Sequence, residues 1–135
     1  MILDTSAVVA ILNNEPERNQ FEEVIAESDC ETSSISLLEA SIEFFCRRGE
    51  DSLAALYTWI EAAGITVVRF TPAHARLARN AYARFGKGRH PAALNFCDCA
   101  TYALAIDRGD QLLFTGETFP LTDVLLAVHP TKRKA

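Results

Sequence analysis

Four acids stand where apolar runs give way to polar ones, and their chemistry depends on whether the fold gathers them. Asp4 closes the opening run Met1-Ile2-Leu3, Glu39 follows Ser36-Leu37-Leu38, Asp98 is the third residue after Asn95, and Glu117 follows the apolar stretch 111–115. Carboxylates brought together repel one another, and a hard divalent cation with oxygen ligands, Mg2+ or Mn2+, is the natural compensation. Three of the four also have a local role open to them. Asp4 can cap a turn, while Glu39 and Asp98 each stand where the third residue of a capping box would be. The two roles are compatible, because a carboxylate has several lone-pair directions. His74, His90 and His129 lie outside the acidic set, and no Ser/His/Asp order points to nucleophilic catalysis.

For these acids to meet, short apolar strands must alternate with helices. Thr5 or Ser6 can cap a helix reaching Leu12, and Asn14-Glu15-Pro16-Glu17 opens a second reaching Ser28. Residues 30–34 read as a brief strand, followed by Ser36-Leu37-Leu38-Glu39 as a capping box for a helix that ends near Arg47-Arg48-Gly49. A further helix covers 50–63, a strand 65–70, and a helix opened by Thr71-Pro72 ends at Gly86. Residues 87–92, with Gly88 and Pro91, read as a mobile loop. Asn95 caps a helix from Phe96 to Arg108; 111–115 is a strand, and 124–128 a last apolar segment. This alternation predicts an α/β fold in one domain, a parallel sheet of four to five strands flanked by helices. Right-handed crossovers return each strand in the same direction, so strand ends and helix starts collect at one edge.

With 135 residues and 49% hydrophobic content the chain can bury one sizeable core. No run approaches the length of a membrane span, the start lacks the basic and apolar regions of a signal peptide, and a cytoplasmic protein with no membrane contact is expected. Cys30, Cys46, Cys97 and Cys99 are then expected as reduced, buried thiols without zinc-site spacing. The net charge of −5 hides an asymmetry: residues 1–46 carry −9 and residues 47–100 carry +4. An acidic average therefore does not exclude a polyanionic substrate, and both the stretch Arg84 to His90 and the tail Lys132-Arg133-Lys134 can touch phosphates. Trp59, Tyr57, Leu56 and Tyr82 form more large apolar surface than a small sheet covers, which predicts a homodimer.

Taken together the motifs resemble the PIN-domain ribonucleases, and most closely the VapC toxins of bacterial toxin–antitoxin pairs. The matching pieces are Met1-Ile2-Leu3-Asp4-Thr5-Ser6-Ala7, Ser36-Leu37-Leu38-Glu39-Ala40, the segment from Leu94 to Ala105 around Asp98, and Leu112 to Phe119 with Thr122-Asp123 beyond. They keep the family's order over nearly the whole chain. The resemblance implies a Rossmann-like nuclease domain over 1–130 with a basic tail at 131–135, Mg2+- or Mn2+-dependent hydrolysis of RNA, a homodimer, and an antitoxin partner through which alone DNA is contacted. Asp4, Glu39 and Asp98 fall on the family's first three acidic positions and are the expected metal-binding set. Where the family often has an acid before the phenylalanine of its Gly-x-Asp-Phe turn, this chain has Thr118, with Glu117 one residue earlier. Glu117 is expected as the fourth catalytic acid beside Asp4, Glu39 and Asp98; the alternatives are a water bound by Thr118, Asp123, or a site of three acids alone. Two rivals use the same features differently. A non-catalytic PIN-like module would bind RNA or protein without cutting, and a receiver-like phosphoacceptor would need a lysine at a late strand end that is not found near Thr115.

Overall fold

Two residues of the first strand divide the molecule. Ile2 and Leu3 are fully buried, and because side chains alternate along a strand they enter different cores. Leu3 joins Ala7, Ile11, Phe21, Phe44 and Leu56, while Ile2 joins Phe85, Leu94, Tyr102, Leu104 and Phe119. Leu113 and Leu112 repeat the division in the last strand. An apolar run short enough to be a strand and buried on both faces is the mark of a parallel sheet between helices.

The computed structural model describes residues 1–127. His129 and the expected basic tail lie outside the described residues. In chain order the elements are β1 (Ile2–Leu3), α1 (Thr5–Leu12), α2 (Arg18–Ala26), β2 (Glu31–Ser33), α3 (Ser34–Arg48), α4 (Ser52–Ala62), β3 (Thr66–Val68), α5 (Pro72–Phe85), α6 (Phe96–Arg108) and β4 (Leu112–Leu113), followed by a 3-10 turn at Phe119–Leu121. The strands pair in parallel in the order β3-β2-β1-β4. Helices α1 to α4 supply the core on one face and α5 with α6 the core on the other. The chain moves outward from β1 to β3, then crosses to the far side of β1. The carboxyl ends of β1 and β4 therefore flank the reversal of strand order, which is where open α/β sheets form a crevice.

Local departures from the expected elements have visible causes. Asn14 takes a positive φ of 53°, so the chain turns once more and α2 begins at Arg18 instead of Asn14. The segment 124–128 adds no full strand; within the described residues it makes one parallel bridge, Leu112 with Leu126. The stretch 87–92, expected to be mobile, is pinned instead. Lys87 N–H donates to the Leu94 carbonyl at 3.0 Å, Ala92 N–H to His90 Nδ1 at 3.0 Å, and the His90 ring meets Phe85 edge-on at 5.0 Å. His74 is buried in the capping box of α5 and bonded to Asp107 at 3.0 Å, and Cys46 is exposed, contrary to a buried thiol. No helix among the described residues is long and apolar enough to cross a membrane.

Gly86 ends α5 for a steric reason, since a Cβ there would lie 2.4 Å from the Tyr82 carbonyl oxygen. Gly86→Ala is expected to destabilise the fold by about 1–3 kcal/mol, seen as a lower denaturant midpoint with an unchanged slope.

Candidate active site

Asp4 leaves β1 with extended backbone (φ −79°, ψ 158°) and becomes the N-cap of α1. Its Oδ2 accepts both the Ser6 N–H at 3.1 Å and the Ser6 hydroxyl at 2.7 Å, and its Oδ1 accepts the Thr101 hydroxyl at 2.8 Å. Ser6 Oγ in turn accepts the Thr115 N–H at 2.9 Å, joining the end of β4 to the same carboxylate. Three of the carboxylate's roughly four lone-pair directions are thus taken, and the capping role leaves one on Oδ1. Thr5, the other residue expected beside Asp4, donates to the Ser36 carbonyl at 3.3 Å.

Glu39 reaches the site differently from the sequence expectation. Ser33 ends β2 in extended conformation and its hydroxyl caps α3 by accepting the Ile35 N–H at 3.1 Å. The helix therefore starts two residues before the expected capping box, Glu39 falls in its second turn, and Ser36 is a buried residue inside the helix. Asp98 follows the expected pattern. Its N–H donates to Asn95 Oδ1 at 2.9 Å, and the Asn95 N–H donates back to Asp98 Oδ2 at 3.0 Å.

These three acids line one cleft of about 280 Å3, together with Glu15, Glu43 and the end of β4 at Thr115. No basic side chain is among the described residues lining it. The crowding is felt by Asp98: burial, and then the charges of Asp4 and Glu39, push its carboxyl up to about 6 against the Asn95 N–H that favours ionisation. Cys97 is pushed up to about 12 by burial and by its proximity to Glu39, so without a metal it stays a neutral thiol. Among the described residues no three His, Cys, Asp or Glu side chains already surround a single point as a ligand group. The donors are nevertheless all carboxylate oxygens, which suits Mg2+ or Mn2+, ions that keep several waters and take only one or two carboxylates directly.

A model of the PIN domain matches residues 1–125. The chain belongs to the PIN-domain family. Its relatives include the "Ribonuclease VapC" of Mycolicibacterium smegmatis, 46% identical over 130 residues, which span 96% of this chain and 100% of that protein. "Ribonuclease VapC30" of Mycobacterium tuberculosis is 39% identical over 131 residues, 96% of this chain and 100% of its own. Among solved structures, Mycobacterium tuberculosis VapC20, titled a sarcin-ricin loop cleaving toxin, superposes with a TM-score of 0.77 over 96% of this chain and 98% of its own, at 20% identity. That likeness supports the PIN fold with its four-stranded parallel sheet.

Not every candidate acid of this PIN domain enters the cleft. Glu117 is exposed in the bend after β4 and does not line it. Thr118 is half-buried and precedes the 3-10 turn, and Asp123 is held by the Tyr102 hydroxyl and by Arg84 at 3.1 Å. Three lining or supporting residues were not anticipated. Glu43 lies four residues after Glu39 on one face of α3, and Thr101 three after Asp98 on α6, a helical spacing visible in the sequence. Glu15 reaches the cleft through the turn at Asn14, for which the sequence carries no periodic signal.

Proposed function

We propose that this PIN domain is an endoribonuclease dependent on Mg2+ or Mn2+, and the toxin of a toxin–antitoxin pair. The observation that supports this most is the cleft itself: carboxylates from β1, α3 and α6 line one space without a basic partner among the described residues, and burial, with the Asp4 and Glu39 charges adding to it, pushes the Asp98 carboxyl up to about 6. Such a site is stabilised by a divalent cation. Asp4 and Asp98 would hold the ion directly or through water, and Glu39 would support it or orient a water. The ion, when bound, lowers the pKa of the attacking water and offsets charge on the phosphate. Ser6 and Thr101 keep the Asp4 carboxylate in a fixed orientation. Glu39 lies beside the Cys97 thiol at the start of α6.

The relatives' names support RNA as substrate and, through the toxin class, an antitoxin partner; contact with DNA only through that partner, and a place in the cytoplasm, are further parts of the proposal. A homodimer is part of the same reading; of the residues the sequence singled out for it, Tyr57 and Tyr82 are exposed. Leu56 is fully buried and Trp59 packs on the core, whereas Leu38, Ile42 and Phe45 form an exposed apolar row along α3 with Phe96 close by in the same apolar groove, the latter 79% exposed. The test is cleavage of a total RNA substrate by purified protein. Activity should appear with Mg2+ or Mn2+, vanish with a chelator and return on adding metal in excess. Cutting that persists without metal would overturn the metal dependence, and no cutting under any condition with a folded protein would leave the non-catalytic module as the better account.

The fourth acid can be tested separately. Glu43 lines the cleft and Glu117 does not, so Glu43→Gln is expected to raise the Mg2+ needed for half-maximal cleavage by about threefold, from loss of one charge at partly screened distance. Glu117→Gln should leave it within about twofold of wild type. The reverse ranking would return Glu117 to the metal site.

A further inference from the structure

Resting on the nuclease reading for its consequence, we infer that Ser36 and Thr101 form a buried hydroxyl relay that positions Asp4 for metal binding. A threonine hydroxyl has one proton, and Thr101 gives it to Asp4 Oδ1 at 2.8 Å. The 3.0 Å contact between Ser36 Oγ and Thr101 Oγ1 can then run in one direction only, with Ser36 as donor. An ionised Asp4 accepts and cannot donate, so the carboxylate sets the polarity of the whole chain Ser36 to Thr101 to Asp4. Thr101 is 1% exposed and Ser36 2%, so solvent does not reach in to replace a lost member.

The relay joins the three elements that carry the acids. Ser36 is one turn before Glu39 on α3, Thr101 one turn after Asp98 on α6, and Asp4 ends β1. With Oδ1 held by Thr101 and Oδ2 by the Ser6 N–H and hydroxyl, the carboxylate has a single orientation, and Oδ1 keeps a second lone-pair direction beyond its bond to Thr101. Thr101 and Ser36 are thus positioning residues, acting through Asp4.

The test is Thr101→Val, which keeps the shape and removes the hydroxyl. Mn2+ affinity measured by calorimetry should fall about tenfold. The Mg2+ concentration for half-maximal cleavage should rise by a similar factor, while the rate at saturating metal changes far less. Thr101→Ser should restore wild-type affinity to within about twofold. Ser36→Ala should weaken Mn2+ binding by about threefold in the wild-type background and add nothing in Thr101→Val, because the two act in series. Wild-type Mn2+ affinity in Thr101→Val, or failure of Thr101→Ser to restore it, overturns the relay. If Thr101→Val does not fold, Ser36→Ala decides on the same readout. If Thr101→Val weakens Mn2+ binding but wild-type protein cuts no RNA, the relay stands and the nuclease reading falls.

Discussion

Asp4→Asn is expected to reduce RNA cleavage at a fixed, moderate Mn2+ concentration by at least about a hundredfold while leaving the fold intact. Asparagine is the same size, and its Oδ1 can still accept from Ser6 as the helix cap, at the position where Asp4 Oδ2 accepts the Ser6 N–H at 3.1 Å. What it loses is charge, and its amide now meets Thr101, whose hydroxyl must turn from donor to acceptor. The measurement pairs an initial-rate assay with circular dichroism. Full activity in a folded Asp4→Asn protein would remove Asp4 from the metal site.

Asp98→Asn is expected to lower cleavage by a comparable factor and, unusually for a buried-site substitution, to stabilise the metal-free protein. The reason is the raised carboxyl of Asp98, about 6 in the folded chain against 3.8 for the unperturbed group, with burial the largest cause. Below pH 3.8 both folded and unfolded states are protonated and the group contributes no difference. Between that value and about 6 the unfolded chain ionises first, so this group's contribution makes stability fall as pH rises through the window; above about 6 the penalty is constant. For a carboxylate partly open to solvent the penalty is on the order of 1 kcal/mol. Asparagine removes it and keeps the capping box with Asn95, since its carbonyl can accept the same N–H. Thermal melts at pH 7.5 without metal should show Asp98→Asn above wild type, and the gap should shrink at pH 4. Added Mn2+ should raise the wild-type melting point, less so below pH 6, and leave the variant almost unmoved. A variant less stable than wild type at pH 7.5 without metal would contradict the assignment of strain to Asp98.

The sequence revealed the parallel sheet because its strands are buried on both faces and bounded by caps, and it revealed three of the cleft acids because each closes or opens an element. Asp98 was the most legible, as the reciprocal bonds with Asn95 follow directly from the spacing. Glu39 was found for a reason the structure corrects: Ser33, not Ser36, caps α3, and the hydroxyl thought to cap lies buried against Thr101. Two serines three residues apart give a capping signal at either position, and only the end of β2 chooses between them. Glu15 and the exact reach of Glu117 depend on turn geometry at Asn14 and Gly116, which both take positive φ and redirect the chain in ways that periodicity does not encode. The exposed row on α3 was missed because Leu38, Ile42 and Phe45 share the helical spacing of a core face.

The central claim, that the carboxylates of β1, α3 and α6 form a divalent-metal site, is tested most directly by anomalous diffraction from crystals grown with Mn2+. The account predicts a manganese peak in the cleft bound by Asp4 and Asp98, directly or through water, and no such peak in Asp4→Asn crystals. A peak elsewhere on the molecule, with the cleft empty at Mn2+ concentrations that support RNA cleavage, would contradict it.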